Sequence, residues 1–408
     1  MSKHLSLFEG YGVELEYMIV DKETLAVKPV ADEILRAIAG EYVNDVELNG
    51  IAWSNELVLH VIELKTNGPA ISLNPLPQLF HENVLHINKI LEEYGAKLLP
   101  TGAHPFMDPY TETHLWPHEY NPVYESYNRI FDCRGHGWSN LQSLHLNFPF
   151  ADEEEFGKLH AAIRLILPIL PAITASTPLI GGQNSGLLDA RLDYYRKNQS
   201  KIPSLSGNVI PEKVFTFKEY EEKIFRKIYN DIAPYDPDEI MRYEWLNSRG
   251  AIARFDRYTI EIRTIDIQEC PEADITLVKL VATLLQNIID ERWSTAKKQM
   301  EWHEETLAKI FLRNIASAEN TIIEEKEYPA MFGFKCNGSC TSKQLWNHII
   351  NEVMIDPAGL EPLQIILREG TLSSRILKAL NNDFSRNSIV TIYDKLSRCL
   401  NNNEMFLP

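Results

Sequence analysis

Carboxylates recur in this sequence where strands would bury them. In GVELEY (residues 12–17), Val13, Leu15 and Tyr17 alternate with Glu14 and Glu16, the period-two pattern of a strand with one apolar face. Both acids therefore point the same way, about 6.6 Å apart at a rise of about 3.3 Å per residue. At an effective dielectric near 20, that spacing costs about 2.5 kcal/mol of repulsion. A single pair of this kind is most simply a solvated strand face. The pattern then returns. NELVLHVIELKTNGP (55–69) carries Glu56 at the start and Glu63 near the end of an apolar run. Seven residues apart, they fall on opposite faces of a flat strand, so a bulge or an inward-turning strand start is needed to bring them to one site. LQSLHLNFPF (141–150) places Ser143, His145 and Asn147 on one face, and YTIEIRTIDIQECP (258–271) places Glu261, Arg263 and Ile265 on one face with Asp266 just beyond. Taken singly, a strand histidine is an ordinary core residue and an E-x-R pair is a same-face ion pair worth under about 1 kcal/mol. Taken together, they make a carboxylate-rich sheet face, which is costly unless divalent cations sit on it. Hard oxygen ligands with few cysteines favour Mg²⁺ or Mn²⁺ over zinc.

The elements that must position these residues read as α+β. Strand-like segments at 11–20, 55–66, 141–148 and 258–267 are separated by stretches of helical periodicity such as 79–95 and 154–170. No short strand–helix alternation runs through the chain. A mainly antiparallel sheet with helices packed on one side is therefore expected. From about 272 the pattern is helical to near the end, and 1–408 is taken as a single domain with 272–408 as its mostly helical C-terminal part. Residues 198–213 and 233–239 are Pro/Ser/Gly/Asn/Asp-rich loops.

Composition narrows the class. With 408 residues, 44% of them hydrophobic, the chain can bury a large core. The net charge of −17 and the lack of a basic run exclude an electrostatic nucleic-acid surface. The stretch 161–180 has nearly membrane-spanning length, but Arg164 and prolines 168, 171 and 178 interrupt it, and no membrane association is expected. No secretory signal is visible at 1–20, so a cytoplasmic location is expected. The five cysteines lack a framework spacing, which suits reduced thiols; Cys336 and Cys340 have no second ligand pair for zinc. GFKCNGSC has the glycine spacing of a P-loop but not its lysine, and no GxGxxG occurs. Any nucleotide must be held another way.

The stretches GVELEYMIVD, ELVLHVIELKTN, TGAHPF (101–106), QSLHLNF, LDARLDYYR (188–196) and TIEIRTID, in that order over about residues 8–271, resemble the carboxylate–amine ligases of the glutamate-cysteine ligase family 2. EGTLSSRIL (369–377) is a weaker C-terminal echo. The resemblance implies a glutamine-synthetase-like catalytic sheet. It implies that Glu14, Glu56 and Glu63 hold one Mg²⁺ or Mn²⁺ ion and that Glu16, His145 and Glu261 hold another. It places Arg191 and Arg263 as catalytic residues, Arg196 and Arg263 on ATP phosphates, and His104, Gln142 and Asn147 on substrate. Arginine's planar fork and permanent charge suit those oxyanions. Arg249 and Arg254 also precede the last strand, and the sequence does not choose between them. An acid often found in the family falls at Leu59 here, beside an unusual His60, which puts the acceptor in question.

The implied activity is ATP-dependent amide formation, with glutamate as the acid and cysteine as the leading amine. It would run through an acyl-phosphate and release ADP and phosphate. The alternatives are a metal-dependent amide hydrolase and a ligase joining glutamate to another amine. A non-catalytic relative would be expected to have lost acids from the set, and all six metal-ligand positions are filled. The expected partners are small molecules, and a homo-oligomer is left open.

Overall fold

The computed structural model describes residues 4–336, 338–353 and 360–408. Eight strands form the main sheet: β1 (Gly12–Asp21), β2 (Asp45–Leu48), β3 (Ile51–Asn55), β4 (Val61–Thr66), β5 (Ala96–Leu99), β6 (Ser143–Pro149), and, after a small hairpin of β7 (Leu179–Ile180) and β8 (Gln183–Asn184), β9 (Ala251–Arg254) and β10 (Thr259–Asp266). The order is β2-β3-β4-β1-β6-β10-β9, with β5 on β1, and every pairing is antiparallel. β1 is long enough to pair with β6 through its first half and with β5 through its second.

The alternation expected of β1 sets the layers. Val13, Leu15, Tyr17 and Ile19 are fully buried and belong to the large core shared with the helices Leu76–Leu91, Glu153–Ile166 and Pro271–Ile289. Helix Glu153–Ile166 starts where Asp152 accepts the Glu155 N–H and three acids occupy the first turn, favourable at the positive end of the helix dipole. It ends in a 3₁₀ turn, Leu167–Ile169, at the first of the prolines. Helix Pro271–Ile289 begins with Pro at its first position, where the missing N–H costs nothing. It is buried almost all round. Among the described residues no helix is long and apolar enough to cross a membrane.

The opposite face of β1 changes character along its length. Glu14 and Glu16 lie at one end; Met18 and Val20, at the other, are buried in a second apolar cluster with Leu372, Ile376, Tyr393 and Leu396 of the helices Leu372–Leu380 and Arg386–Asn402. The last two helices thereby close one end of the face that carries the acids.

Three expected strands fall within one or two residues of those observed. The fourth, 55–66, is not one strand. It is the end of β3, a five-residue connection and β4, paired as Ser54↔Glu63 and Asn55↔Ile62. An apolar run that crosses a hairpin loop cannot be told by periodicity from a continuous strand.

Candidate active site

Cross-strand register brings the acids together. Glu16 pairs with Glu63, Glu14 with Lys65 on one side and His145 on the other, and Glu261 with Asn147. Since directly opposed side chains share a sheet face, β4, β1, β6 and β10 present one continuous row of Glu63, Lys65, Glu14, Glu16, Ser143, His145, Asn147, Glu261 and Arg263. The register of β10 against β6 shifts by one residue between Ile262 and Ile265, a bulge that falls on Arg263. Bulges re-aim side chains near active sites. Glu56 reaches the same region from the β3–β4 connection, which resolves how acids seven residues apart can meet: the chain reverses between them.

Hydrogen bonds lock the row. Ser143 donates its backbone N–H (2.7 Å) and hydroxyl (3.0 Å) to Glu16 Oε2, and lies 2.9 Å from His145 Nε2. His145 Nδ1 is 3.1 Å from Glu14 Oε2, and Asn147 Nδ2 donates to Glu14 Oε1 at 3.0 Å. Ser54 and Lys65 both donate to Glu63 Oε1, at 2.6 and 2.9 Å. Arg263 Nε is 2.7 Å from Glu261 Oε1, but its N–H is not aligned as a hydrogen bond.

Burial raises the carboxyl of Glu16, and burial with repulsion from Glu16 and Glu63 holds Glu56 well above the usual carboxylate range. For Glu14 and Glu261 burial acts in the same direction but is outweighed, by His145 and by Arg263 respectively, and both sit below their ordinary values. Burial alone would lower the imidazole of His145; Glu16 and Glu14 outweigh it and raise it. Burial opposes ionisation at all four acids, and only Glu14 and Glu261 have cations placed to reverse it.

Two sets of oxygen and nitrogen atoms lie within 4.8 Å of one another: Glu14, His145 and Glu261, and Glu16, Glu63 and His145. The expected partition was Glu14, Glu56 and Glu63 against Glu16, His145 and Glu261. The geometry instead places His145 between both groups and Glu56 in neither.

A cavity opens at each end of the row. One, of about 640 Å³, is bounded by Glu16, Glu56, Ser143, His145 and Arg263 at its floor and by aromatic side chains above. The other, of about 430 Å³, takes Glu14, Lys65 and Asn147 from the row and adds Gly12, Arg257 and Tyr258, with the His4 ring stacked on Tyr258 at 3.6 Å.

The remaining expected residues are dispersed. Arg191 borders the larger cavity but is 1% exposed, with Nε 2.5 Å from Asp266 Oδ1. Arg196 pairs with Asp193 at 2.9 Å and lines neither cavity. His104 is buried elsewhere, its Nε2 on the Leu25 carbonyl and its Nδ1 accepting the N–H groups of Phe106 and Met107; burial depresses it to about 4, so it is neutral. Gln142 is fully buried, its amide without a partner among the described residues, one position out of phase with Ser143 and His145. Between the two arginines left open, Arg254 lies 3.8 Å from Glu261, whereas Arg249 is buried in a two-pronged pair with Glu212. His60 is neutral, depressed to about 4 by burial, and its Nε2 contacts the Ser139 carbonyl. Lys65 was legible two residues after Glu63 and was missed. The aromatic wall was not legible, because its members come from three separate segments.

The glutamate-cysteine ligase family 2 model matches residues 11–391. The chain belongs to that family. It is 32% identical over 404 residues to an uncharacterised protein of Archaeoglobus fulgidus, covering 97% of this chain and 100% of that one. It is 26% identical over 188 residues to a Rubrobacter xylanophilus protein provisionally named glutamate–cysteine ligase 2-3, a match covering 45% of this chain and 47% of the relative. Among solved structures, the fold is similar to a glutamate–cysteine ligase of Francisella tularensis in complex with AMP, at a TM-score of 0.63 and 12% identity, covering 96% of this chain and 88% of that one. A bifunctional glutathione synthetase of Pasteurella multocida matches with a TM-score of 0.59 at 15% identity, over 97% of this chain and 52% of that one.

Proposed function

We propose that this member of the family is an ATP-dependent carboxylate–amine ligase that activates the side-chain carboxylate of glutamate as an acyl-phosphate and transfers the acyl group to an amine. The observation that carries the reading is the row of carboxylates running from one cavity to the other. A carboxylate does not condense with an amine at neutral pH unless it is activated, and two cavities joined by a charged strip suit a reaction that passes a phosphoryl group from one bound molecule to another.

The donor set fits a resident divalent cation. Each triad offers carboxylate oxygens and one imidazole nitrogen, and the repulsion among Glu16, Glu56 and Glu63 that adds to the burial of Glu56 is what a cation would relieve. Glu14, Glu16, Glu63, His145 and Glu261 would hold Mg²⁺ or Mn²⁺, with Glu56 beside them. When bound, such ions supply positive charge to phosphate oxygens and polarise the phosphorus.

The protein's own groups do the rest. The smaller cavity suits the nucleotide: Lys65 and Arg257 stand among its acids Glu14, Asp45 and Glu47 as donors to phosphate, and the His4–Tyr258 stack gives it an aromatic surface for a base. In the larger cavity the substrate carboxylate oxygen attacks the terminal phosphorus as ADP leaves. Arg263, on the bulge and with its Nε–H unaligned to Glu261, is placed to donate to the transferring phosphoryl group. Arg191, clamped by Asp266, positions the backbone carbonyl of Arg263, which lies 3.4 Å from both of its terminal nitrogens.

The test is acyl-phosphate trapping. With glutamate, ATP, Mg²⁺ and hydroxylamine, hydroxamate should form in step with ADP. Arg263→Lys keeps the charge but loses the fork, and should slow this by roughly tenfold to a thousandfold. Metal-dependent hydrolysis of a pre-formed amide without ATP, and no hydroxamate from any carboxylate, would replace the ligase with a hydrolase.

A further inference from the structure

The larger cavity is walled by rings. Tyr124 and Tyr127 on the helix Asn121–Phe131, Trp138 on the short helix His136–Ser139, and Trp245 in the 3₁₀ turn Glu244–Leu246 with Tyr243 just before it converge on it, with Tyr120 at its mouth. The rings support one another. Tyr127 lies 5.2 Å from Trp138 and 5.9 Å from Trp245, and Tyr243 stacks on Trp245 at 5.7 Å and 12°. At the mouth, Tyr120 and Tyr243 remain 55% and 58% exposed, and Tyr120 adopts a φ of 68°. A tyrosine in the left-handed region is uncommon and costs about 1–3 kcal/mol when held there. Two exposed tyrosines converge on one opening.

The charged groups of the cavity are few, and Asn198, Gln199 and Ser248 add neutral polar groups to its lining. The carboxylates are Glu16 and Glu56, and the cations are His145, Arg191 and Arg263. Arg191 is tied to Asp266, and Arg263, beside Glu261, is the donor to the transferring phosphoryl group. Among the described lining residues, then, no cation stands up in the aromatic wall to receive a carboxylate, and no acid stands there to receive a second ammonium group. Cavities of about 300–1,000 Å³ hold drug-sized ligands, and at about 640 Å³ this one has room for a glutamyl group together with a ring-bearing amine.

We infer that the acceptor is a primary amine on an aromatic or bulky apolar skeleton, without a carboxylate next to the nitrogen, rather than cysteine. The inference rests on the ligase reading and narrows its substrate class. The ammonium end meets Glu56, the lining carboxylate outside both ion sets, and the skeleton lies among the rings, where offset and edge-on contacts are favourable. The nitrogen forms the bond to the acyl carbon as the bond from that carbon to the phosphate oxygen breaks. Phosphate leaves with the electron pair, taking one of the two surplus ammonium protons, and the other passes to solvent.

The experiment measures ADP release by the full chain with glutamate, ATP and Mg²⁺, comparing 2-phenylethylamine, phenylalanine, cysteine, ammonia and hydroxylamine as nucleophiles. The expected result is a kcat/KM for 2-phenylethylamine at least tenfold above that for cysteine, since each apolar group fitted into such a pocket is worth about 10- to 200-fold, with phenylalanine in between. Trp245→Ala should raise KM for 2-phenylethylamine by at least tenfold while changing kcat less. Because Trp245 supports Tyr127, Tyr243→Ala at the exposed mouth serves as the second variant, with a KM rise of about threefold. Hydroxamate formation with cysteine as the best amine, or with no preference among amines, overturns the acceptor assignment and leaves the ligase standing. Absence of hydroxamate and of ADP release with every nucleophile removes both.

Discussion

The molecule buries charge in two ways. Behind the catalytic row, Arg191 meets Asp266, Arg375 meets Glu269 and Arg249 meets Glu212, and each guanidinium also reaches backbone carbonyls: Arg375 those of Gly370 and Phe406, Arg249 that of Ser204. Arg375–Glu269 and Arg249–Glu212 balance one to one; Arg191 also faces the buried Asp189, which burial and Asp266 hold well above the usual carboxylate range. On the row itself, Glu14, Glu16, Glu56, Glu63 and Glu261 face Lys65, Arg254, Arg263 and a histidine. The balanced pairs fasten segments distant in sequence; the row gathers five acids on one face, where a bound cation would relieve their crowding. A buried arginine is therefore a weak guide to function here, while a surplus of buried carboxylates is a strong one.

If that contrast holds, breaking a balanced pair should cost stability most. Arg375 and Glu269 are both fully buried, and Arg375→Met leaves the Glu269 carboxylate uncompensated, for an expected loss of about 3–5 kcal/mol. Chemical denaturation measures it. A loss under about 1 kcal/mol would mean that the pair does not fasten the C-terminal helices to the sheet.

The row should respond in the opposite sense. Glu16→Gln and Glu56→Gln neutralise carboxyls that burial and their acidic neighbours already hold above the ordinary range, so the unfolding midpoint without metal should stay level or rise. ATP-dependent turnover should fall by roughly a hundredfold or more, the kinetic equivalent of several kcal/mol of lost charge stabilisation. Wild-type turnover in both variants would return these acids to an ordinary strand face.

Metal extends the comparison to the unsubstituted protein. An ion that binds only the folded chain stabilises it by about 2.7 kcal/mol at a hundred times its dissociation constant. Mg²⁺ or Mn²⁺ should therefore raise the thermal midpoint of the wild type, EDTA should reverse the rise, and Glu261→Gln should show little of it. Equal shifts in wild type and variant would place the ion elsewhere.

How far the sequence discloses this design follows from what periodicity can carry. Strand alternation placed Glu14, Glu16, His145, Asn147 and Glu261 on one face, because the side-chain period of two survives in any strand of adequate length. The hairpin at 56–60 was hidden, since Leu57, Val58 and Leu59 continue the apolar run through the turn. Arg191 and the Arg375 of EGTLSSRIL were visible as motif residues, yet nothing local distinguishes an arginine that clamps Asp266 or Glu269 from one that awaits phosphate. The aromatic wall depends on three-dimensional convergence of residues 120–127, 138 and 243–245, and no window of sequence contains it.

His160 supplies the smallest effect and a third way of burying a titratable group: keeping it uncharged. It sits fully buried on the helix Glu153–Ile166, stacked on Phe156 at 5.4 Å, with Nδ1 2.8 Å from the Val214 carbonyl and Nε2 without a partner among the described residues. Burial, reinforced by nearby Arg164, depresses it from 6.5 to about 3. The unfolded chain therefore binds a proton near pH 6.5 that the folded chain refuses until about pH 3. Stability falls as pH drops through that window and is unaffected above it. His160→Phe forfeits the hydrogen bond to Val214, about 1 kcal/mol at pH 7, but has no proton to refuse. Between pH 7 and pH 5 the stability difference between wild type and variant should move by about 2 kcal/mol in favour of the variant, from 1.36 kcal/mol per unit over the interval below 6.5. Urea unfolding of both proteins at the two pH values gives the number directly. A difference that stays constant would mean that His160 is charged in the folded protein. The core would then hold an unpaired cation, and the contrast between balanced and unbalanced burial would no longer separate scaffold from site.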